Sequence, residues 1–406
     1  MAAAGWEVAC PLLAARCKKR MIRRCHNCLA ETAQLEHSAS GLSGRTMLGN
    51  EKAMGQSFLC LLAALPMLLA AAPSSAQTAT SAPWSAAATT TVISETKTFD
   101  SGDATLSGTL YLPKDGHALA AVVVTHAASS PLQDAILYTH LKQMLPAMGI
   151  AVFTYDRRGH GKSGGSQKNV GFQRLADDAV AAVKMLEADA RIDPKRVGIW
   201  GLSQGGWLSL LAASRNSEVR FVVSISAPVV TPDVQMMFLT DNAMRVFGYA
   251  QPEIDQMRAT RKAVDDYMRG SGERATAQRM IDAVKDRPWF PLTYMGTTVG
   301  DRATSGWRKE IEYDPLPTLD RVTVPTLILY GAADPVVPVA TSVERIAPKM
   351  RSNMALRVIA GADHGMALNV DTKSQLDPSK GDQIQPEAPE YFAVLASWLT
   401  HQGLAR

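Results

Sequence analysis

Residues 196–214 read Arg-Val-Gly-Ile-Trp-Gly-Leu-Ser-Gln-Gly-Gly-Trp-Leu-Ser-Leu-Leu-Ala-Ala-Ser, and the reading of this stretch decides the fold. Residues 197–200 are a short apolar run suited to a buried strand, and residues 205–213 carry apolar side chains at helical spacing. The chain must therefore turn sharply between the two. Ser203 stands at that turn, with Gly201 and Gly205 two residues to either side, where side chains would collide if a strand reversed straight into a helix. Such a turn lifts the hydroxyl clear of the backbone and aims the Gln204 N–H and a helix N-terminus at whatever the hydroxyl attacks. Ser203 is thus the candidate nucleophile. The spacing pattern alone discriminates little, because Gly161-Lys162-Ser163-Gly164-Gly165 also fits it. Ser163, however, is followed by the polar, glycine-bearing run 164–171 and not by an apolar helix.

Outward from the turn, short apolar strands alternate with amphipathic helices. Residues 120–125 and 150–155 read as strands, 135–148 and 172–187 as helices, and 221–226 as the next strand. Ahead of them, 96–99 and 105–112, ending at Pro113, form an antiparallel entry pair. This alternation predicts an α/β fold, a doubly wound and mostly parallel sheet covered on both faces. Residues 229–320 break the rhythm with helical, charged and aromatic stretches and no good buried strand. An insertion of that length is read as a helical lid, with Met236, Phe238 and Trp289 as candidate walls of a substrate pocket; the alternative is a packing subdomain unrelated to substrate. The pattern resumes with a strand at 326–330, a helix at 339–349, a strand at 356–359 and a closing helix at 390–401.

A serine hydroxyl is a poor nucleophile until a base takes its proton, so an imidazole and a carboxylate to orient it are needed. The region after residue 76 offers His117, His126, His140, His160, His364 and His401. His364 follows the strand 356–359 in Ala360-Gly361-Ala362-Asp363-His364-Gly365, where a loop leaves the sheet at the edge that also carries Ser203. The same argument selects Asp334 in Gly331-Ala332-Ala333-Asp334-Pro335, after the strand 326–330. Asp363 is the rival acid, but as the immediate neighbour of His364 it is badly placed to face the ring. His126 and His160, in loops at strand ends, read as braces of those loops.

With these elements in the order nucleophile, acid, histidine, residues 96–401 resemble the α/β-hydrolase superfamily, carboxylesterase-like or serine aminopeptidase-like. The resemblance implies catalytic Ser203, Asp334 and His364. It also implies an oxyanion hole from the backbone N–H groups of Gln204 and of a residue after the strand 120–125. That loop usually reads His-Gly followed by the donor; here it reads His126-Ala127-Ala128, so Ala128 matches the donor and Ala127 replaces the glycine. The activity implied is hydrolysis of a small-molecule carboxylic ester through an acyl-enzyme, with no metal and no organic cofactor. Two variants share the machinery. A serine aminopeptidase or dipeptidyl-peptidase-like enzyme acting on short peptides would need a lid carboxylate, for which Asp241, Glu253, Asp255, Asp265 and Asp266 are available; an acyltransferase or thioesterase would differ in what excludes water. A binding protein of the same fold without chemistry is opposed by the intact Ser203, Asp334 and His364.

Composition narrows the field further. At 406 residues and 46% hydrophobic content the chain can bury a substantial core. The formal charge of +4 resides in residues 1–76, which hold eight Lys/Arg against four Asp/Glu, so the balanced remainder points to no nucleic-acid or acidic-membrane surface. All five cysteines, Cys10, Cys17, Cys25, Cys28 and Cys60, lie in that same part. Cys25-His26-Asn27-Cys28 has no second pair at zinc-site spacing. Gly159-x-Gly161-x-x-Gly164 and Gly161-Lys162-Ser163 evoke nucleotide loops, but Asp156 stands where a phosphate loop needs glycine, and no helix opens within the glycines.

Residues 58–72 are an almost unbroken apolar run, short for a membrane span and followed by Pro73-Ser74-Ser75-Ala76. The expectation is a secretory signal cut after Ala76, a linker at 77–91 and an exported (periplasmic or secreted) hydrolase domain at 92–406 with no stable membrane anchor. More than fifty residues precede the apolar run, leaving Met47 and Met54 as alternative starts and the basic run 18–24 as a long n-region or another targeting sequence.

Overall fold

The computed structural model describes residues 90–405 except 169 and 380–384. The N-terminal extension 1–76, with its cysteines and expected cleavage site, and the linker as far as residue 89 lie outside the described residues.

A hairpin comes first, in which β1 (Val92–Ser101) and β2 (Ala104–Pro113) pair antiparallel from Val92 opposite Pro113 to Ser101 opposite Ala104. Alternation follows: β3 (Leu119–Thr125), α1 (Thr139–Ala147), β4 (Ile150–Tyr155), α2 (Phe172–Glu187), β5 (Ile192–Leu202), α3 (Gln204–Ala213) and β6 (Val222–Ile225). The insertion contributes α4 (Pro232–Val246), α5 (Gln251–Arg269), α6 (Arg274–Val284), α7 (Gly306–Glu310) and α8 (Pro315–Arg321). β7 (Thr326–Gly331), α9 (Val339–Ile346), β8 (Met354–Ile359), α10 (Thr372–Gln375) and α11 (Pro389–His401) complete the fold.

The strands form one eight-stranded sheet in the order β1-β2-β4-β3-β5-β6-β7-β8. β2 is antiparallel to both β1 and β4, and every pairing from β4 onward is parallel. Every residue of β3, β4, β6 and β7 is buried, because helices cover both faces. On β3, Ala121 and Val123 enter one core with Phe172 and Val183 of α2 and Leu211 of α3. Ala120, Val122 and Val124 enter the other, with Leu141 and Leu145 of α1 and Tyr391 and Leu395 of α11. Each fully buried aliphatic or aromatic side chain contributes about 1.5–3 kcal/mol, so these two layers hold the sheet rigid beneath the loops at its edge.

Two boundaries differ from the sequence reading. The helix expected over 135–148 opens with a 3₁₀ turn, Ile136–Tyr138, and becomes α-helical at Thr139. β5 begins at Ile192, five residues before its apolar run, because Ile192 pairs with Leu119 across an irregularity in the β3–β5 ladder. The insertion is helical as expected and has its own core, in which Met236, Met244, Ile254, Met257, Ile281, Phe290 and Trp307 are buried together. It is tied to the loop after β7 by Asn242 Nδ2, which donates to the Pro335 carbonyl at 2.8 Å, and by Gln235 Nε2, which donates to that of Val336 at 3.1 Å.

Candidate active site

The order of the sheet creates the crevice. The chain leaves β3 through α1 to β4 on one side and returns through α2 to β5 on the other, so the loops after β3 and β5 diverge at a topological switch point. Ser203 sits at the end of β5 with φ 58° and ψ −121°, a backbone state that costs a non-glycine residue about 1–3 kcal/mol. The surroundings enforce it. The Ser203 N–H donates to the Ile225 carbonyl at 2.7 Å, and Thr125 Oγ1 lies 2.8 Å from the Gly205 carbonyl oxygen. A Cβ on Gly201 would stand 2.1 Å from the Gly205 carbonyl oxygen, and one on Gly205 would stand 2.5 Å from that of Thr125, so neither position admits a side chain. Ser163, the other pattern match, is a buried brace whose hydroxyl donates to the Asp156 carbonyl at 2.6 Å and accepts from the Ser107 N–H at 3.0 Å.

β7 and β8 run parallel as far as Gly331 opposite Ile359, so the loops bearing Asp334 and His364 leave side by side. Asp334 Oδ1 accepts from the N–H groups of Val336 (2.8 Å) and Val337 (3.0 Å), which leaves Oδ2 for His364 Nδ1 at 2.8 Å. Asp363 instead turns back on its own loop, its Oδ1 accepting from the N–H groups of Gly365 and Ala367 at 2.8 Å, and burial raises its pKa. Asp334 and His364 are therefore joined. The Ser203 hydroxyl shares their edge of the sheet but makes no hydrogen bond among the described residues; catalytic hydrogen bonds are often long before substrate arrives.

Peptide geometry singles out two N–H groups beside Ser203 that are left without an acceptor among the described residues. The His126 carbonyl accepts from Arg157 Nη2 at 3.1 Å, and the N–H of that same peptide, on Ala127, donates to Tyr138 Oη at 3.1 Å. The Ala127 carbonyl also accepts from Arg157 Nη2, at 3.0 Å, whereas the Ala128 N–H has no acceptor among the described residues. The Gln204 N–H at the head of α3 has none either, while its side-chain Oε1 accepts from Arg157 Nη2 at 2.9 Å. His126 braces the loop: Nε2 contacts the Tyr155 carbonyl, and burial lowers its pKa to about 3, so the ring is neutral. His160 Nδ1 lies 3.2 Å from the Arg158 carbonyl oxygen.

The three residues expected to wall a substrate pocket separate. Met236 and Trp289 are buried in the insertion's own core, because their faces of the insertion pack inward against its other helices. Phe238 lines a cavity of about 780 Å³ between α4 and α5, whose lining does not include Ser203. The five lid carboxylates are also engaged: Asp241 with Arg245 and Arg258, Asp255 with Arg258, Asp266 with Lys262, Asp265 with Trp307 Nε1, and Glu253 with the Ala250 N–H. Sequence reasoning missed Glu310 on α7. The residue is 4% exposed, Oε2 has no partner among the described residues, burial lifts its pKa to about 7, and its charge is felt by Arg157. No sequence pattern marks it. Arg157 was also missed, although its place at the end of β4 could have flagged it.

The family described as serine aminopeptidase, S33, matches residues 116–371. The chain belongs to that family of α/β-hydrolases. It is 30% identical over 149 residues to the polyketide transferase claH of Penicillium crustosum, a match covering 36% of this chain and 47% of that protein. It is 31% identical over 111 residues to the thiohydrolase apmlB of Arthrinium phaeospermum, covering 27% and 36%. These matches span less than half the length of either relative. A longer match, 27% identical over 244 residues, joins it to the non-heme chloroperoxidase of Burkholderia pyrrocinia, covering 55% of this chain and 78% of that one. Among solved structures, Est1E of Butyrivibrio proteoclasticus with ferulic acid bound is 16% identical, with a TM-score of 0.47, covering 76% of this chain and all of that one.

Proposed function

We propose that this α/β-hydrolase cleaves carboxylic esters or thioesters through an acyl-enzyme on Ser203. The observation that carries the reading is the bonded Asp334–His364 pair at the sheet edge where Ser203 is held in its left-handed turn. His364 Nε2 takes the Ser203 proton as Oγ attacks the carbonyl carbon, and Asp334 Oδ2 fixes the tautomer and stabilises the imidazolium. The N–H groups of Gln204 and Ala128 receive the oxyanion. His364 then returns the proton to the departing alcohol or thiol, and water, deprotonated by the same ring, releases the acid. The thiohydrolase and the transferase among the relatives favour an acyl group carried on sulfur or oxygen. The test is fluorophosphonate labelling mapped by mass spectrometry. Labelling at Ser203 that disappears in His364→Ala is expected, and labelling elsewhere would overturn the assignment.

A second reading, cleavage of amides beside a free amino terminus, is favoured by the family's description and by Glu310, a buried carboxyl able to pair with a substrate ammonium. Comparing short acyl esters and thioesters with aminoacyl amides decides between them: loss of amide turnover alone in Glu310→Gln supports the second. Export through the apolar run 58–72 belongs to the same proposal, and N-terminal sequencing of protein from fractionated cells tests it.

A further inference from the structure

Arg157 is 7% exposed, and among the described residues it has no carboxylate within ion-pair distance. Among the described residues its side-chain hydrogen bonds go from one nitrogen, Nη2, to three neutral acceptors, the carbonyls of His126 and Ala127 and Gln204 Oε1, and Nε has no partner. Burying an unpaired guanidinium is costly, and burial does lower its pKa, yet arginine remains protonated at any working pH. A structural brace could be built from neutral groups at less cost, so the charge itself calls for an explanation. Its position supplies one.

We infer that Arg157 is a positioning residue for the oxyanion hole, locking the two donor segments from behind and placing a positive charge beneath the oxyanion. The inference rests on the reading of Ser203 as nucleophile. A trans peptide is planar, with its carbonyl and N–H pointing in opposite directions. Fixing the Ala127 carbonyl on Nη2 therefore turns the Ala128 N–H away from Arg157, into the crevice. A cation bonded to that carbonyl also polarises the amide and strengthens its N–H as a donor. The bond to Gln204 Oε1 ties the first residue of α3 to the same nitrogen, so one group sets the spacing between donors on two loops. Among the described residues no carboxylate is in ion-pair contact with the guanidinium, and Glu310 and Asp178 act on it only through space, so its field can act on the negative charge that develops as the hydroxyl adds.

The test uses the full chain with Arg157→Met, Arg157→Lys and Gln204→Met, and reads kcat and KM on a short acyl ester together with the affinity of a trifluoromethyl ketone that forms a tetrahedral adduct. Deleting an oxyanion donor costs about 10²–10³ in kcat, and loosening two without deleting either is expected to cost about 10–100-fold. In Arg157→Met, kcat falls by that factor, KM changes little, and affinity for the ketone falls in parallel with kcat/KM. Arg157→Lys, which keeps the charge but not the fork, falls between. A folded Arg157→Met with unchanged kcat and ketone affinity overturns the inference, and so does a rise in KM alone, which would make Arg157 a substrate anchor. If Arg157→Met fails to fold, Gln204→Met decides on the same readouts, because it releases one arm and leaves both carbonyl bonds. Wild-type protein that is not labelled at Ser203 sinks the hydrolase reading itself; labelled wild type with indifferent variants sinks only the role of Arg157.

Discussion

Replacing Asp334 with Asn separates the proposed catalytic use of that carboxyl group from its structural use. Its two oxygens have different work: Oδ1 accepts from the Val336 and Val337 N–H groups at 2.8 and 3.0 Å, and Oδ2 faces His364 Nδ1 at 2.8 Å. An Asn amide keeps both backbone bonds only if its oxygen takes the Oδ1 place, which turns its NH₂ toward the ring. The flipped amide would confront two buried N–H donors with a third, and each unsatisfied donor costs about 1–3 kcal/mol, or about 2–6 kcal/mol in all. The unflipped state therefore holds, Nδ1 becomes an acceptor, and the ring proton moves to Nε2, where it blocks proton transfer from Ser203. Loss of the correct tautomer in such a triad costs about 10⁴ in kcat, equivalent to about 5.5 kcal/mol of barrier. The assay is steady-state hydrolysis of a short acyl ester beside Asp363→Asn, whose amide oxygen can still accept from Gly365 and Ala367 and which is expected to lose less than about tenfold. Equal losses in the two variants, or a loss below about tenfold in Asp334→Asn, would refute the assignment of the acid.

Other outcomes follow from the same contacts. Ser163→Ala breaks the brace between Asp156 and Ser107 and should lower stability by about 1–3 kcal/mol in denaturant unfolding while leaving fluorophosphonate labelling at Ser203 intact. Gly205→Ala places a methyl group 2.5 Å from the Thr125 carbonyl oxygen, so the loop after β3 must move; a loss of about 1–3 kcal/mol in stability is expected, with a larger loss in kcat than in KM. Glu310 has its pKa raised by burial from 4.5 to about 7, so the folded state holds the proton more tightly than the unfolded chain. Stability from this group is full below about pH 4.5 and is lost as pH rises through about 7, by about 3 kcal/mol in all. Glu310→Gln should therefore gain on wild type between pH 5 and pH 8 in thermal unfolding, and parallel curves would show that the carboxyl titrates normally. His140, buried between the Leu137 carbonyl and Tyr391 Oη, has its pKa lowered to about 3 by burial. It withdraws stability as pH falls below about 6.5, so His140→Gln should flatten the acid limb by about one proton.

Much of the candidate site was legible in the chain because the residues proposed for it obey strong local rules. A serine between a buried strand and an apolar helix, with glycine two residues to either side, is readable because those side chains have no room, and the Cβ clashes at Gly201 and Gly205 bear this out. The loops of Asp334 and His364 were readable because each follows an apolar strand directly. The helical character of the insertion was visible too, in its missing strands and charged periodicity.

Identity and spacing of residues along the chain thus determined the α/β sheet, the turn at Ser203 and the candidate acid and base, since backbone sterics and strand burial act over a few residues. Only the tertiary structure decided which way side chains face once distant segments meet. It buried Met236 and Trp289 in the insertion's own packing, engaged the five lid carboxylates available for an amino group in ion pairs, a tryptophan and a helix cap, and left Glu310 enclosed. It also brought Arg157 against carbonyls about 30 residues earlier and a side chain 47 residues later. Those outcomes depend on desolvation and on contacts between elements remote in sequence, and no local pattern encodes them.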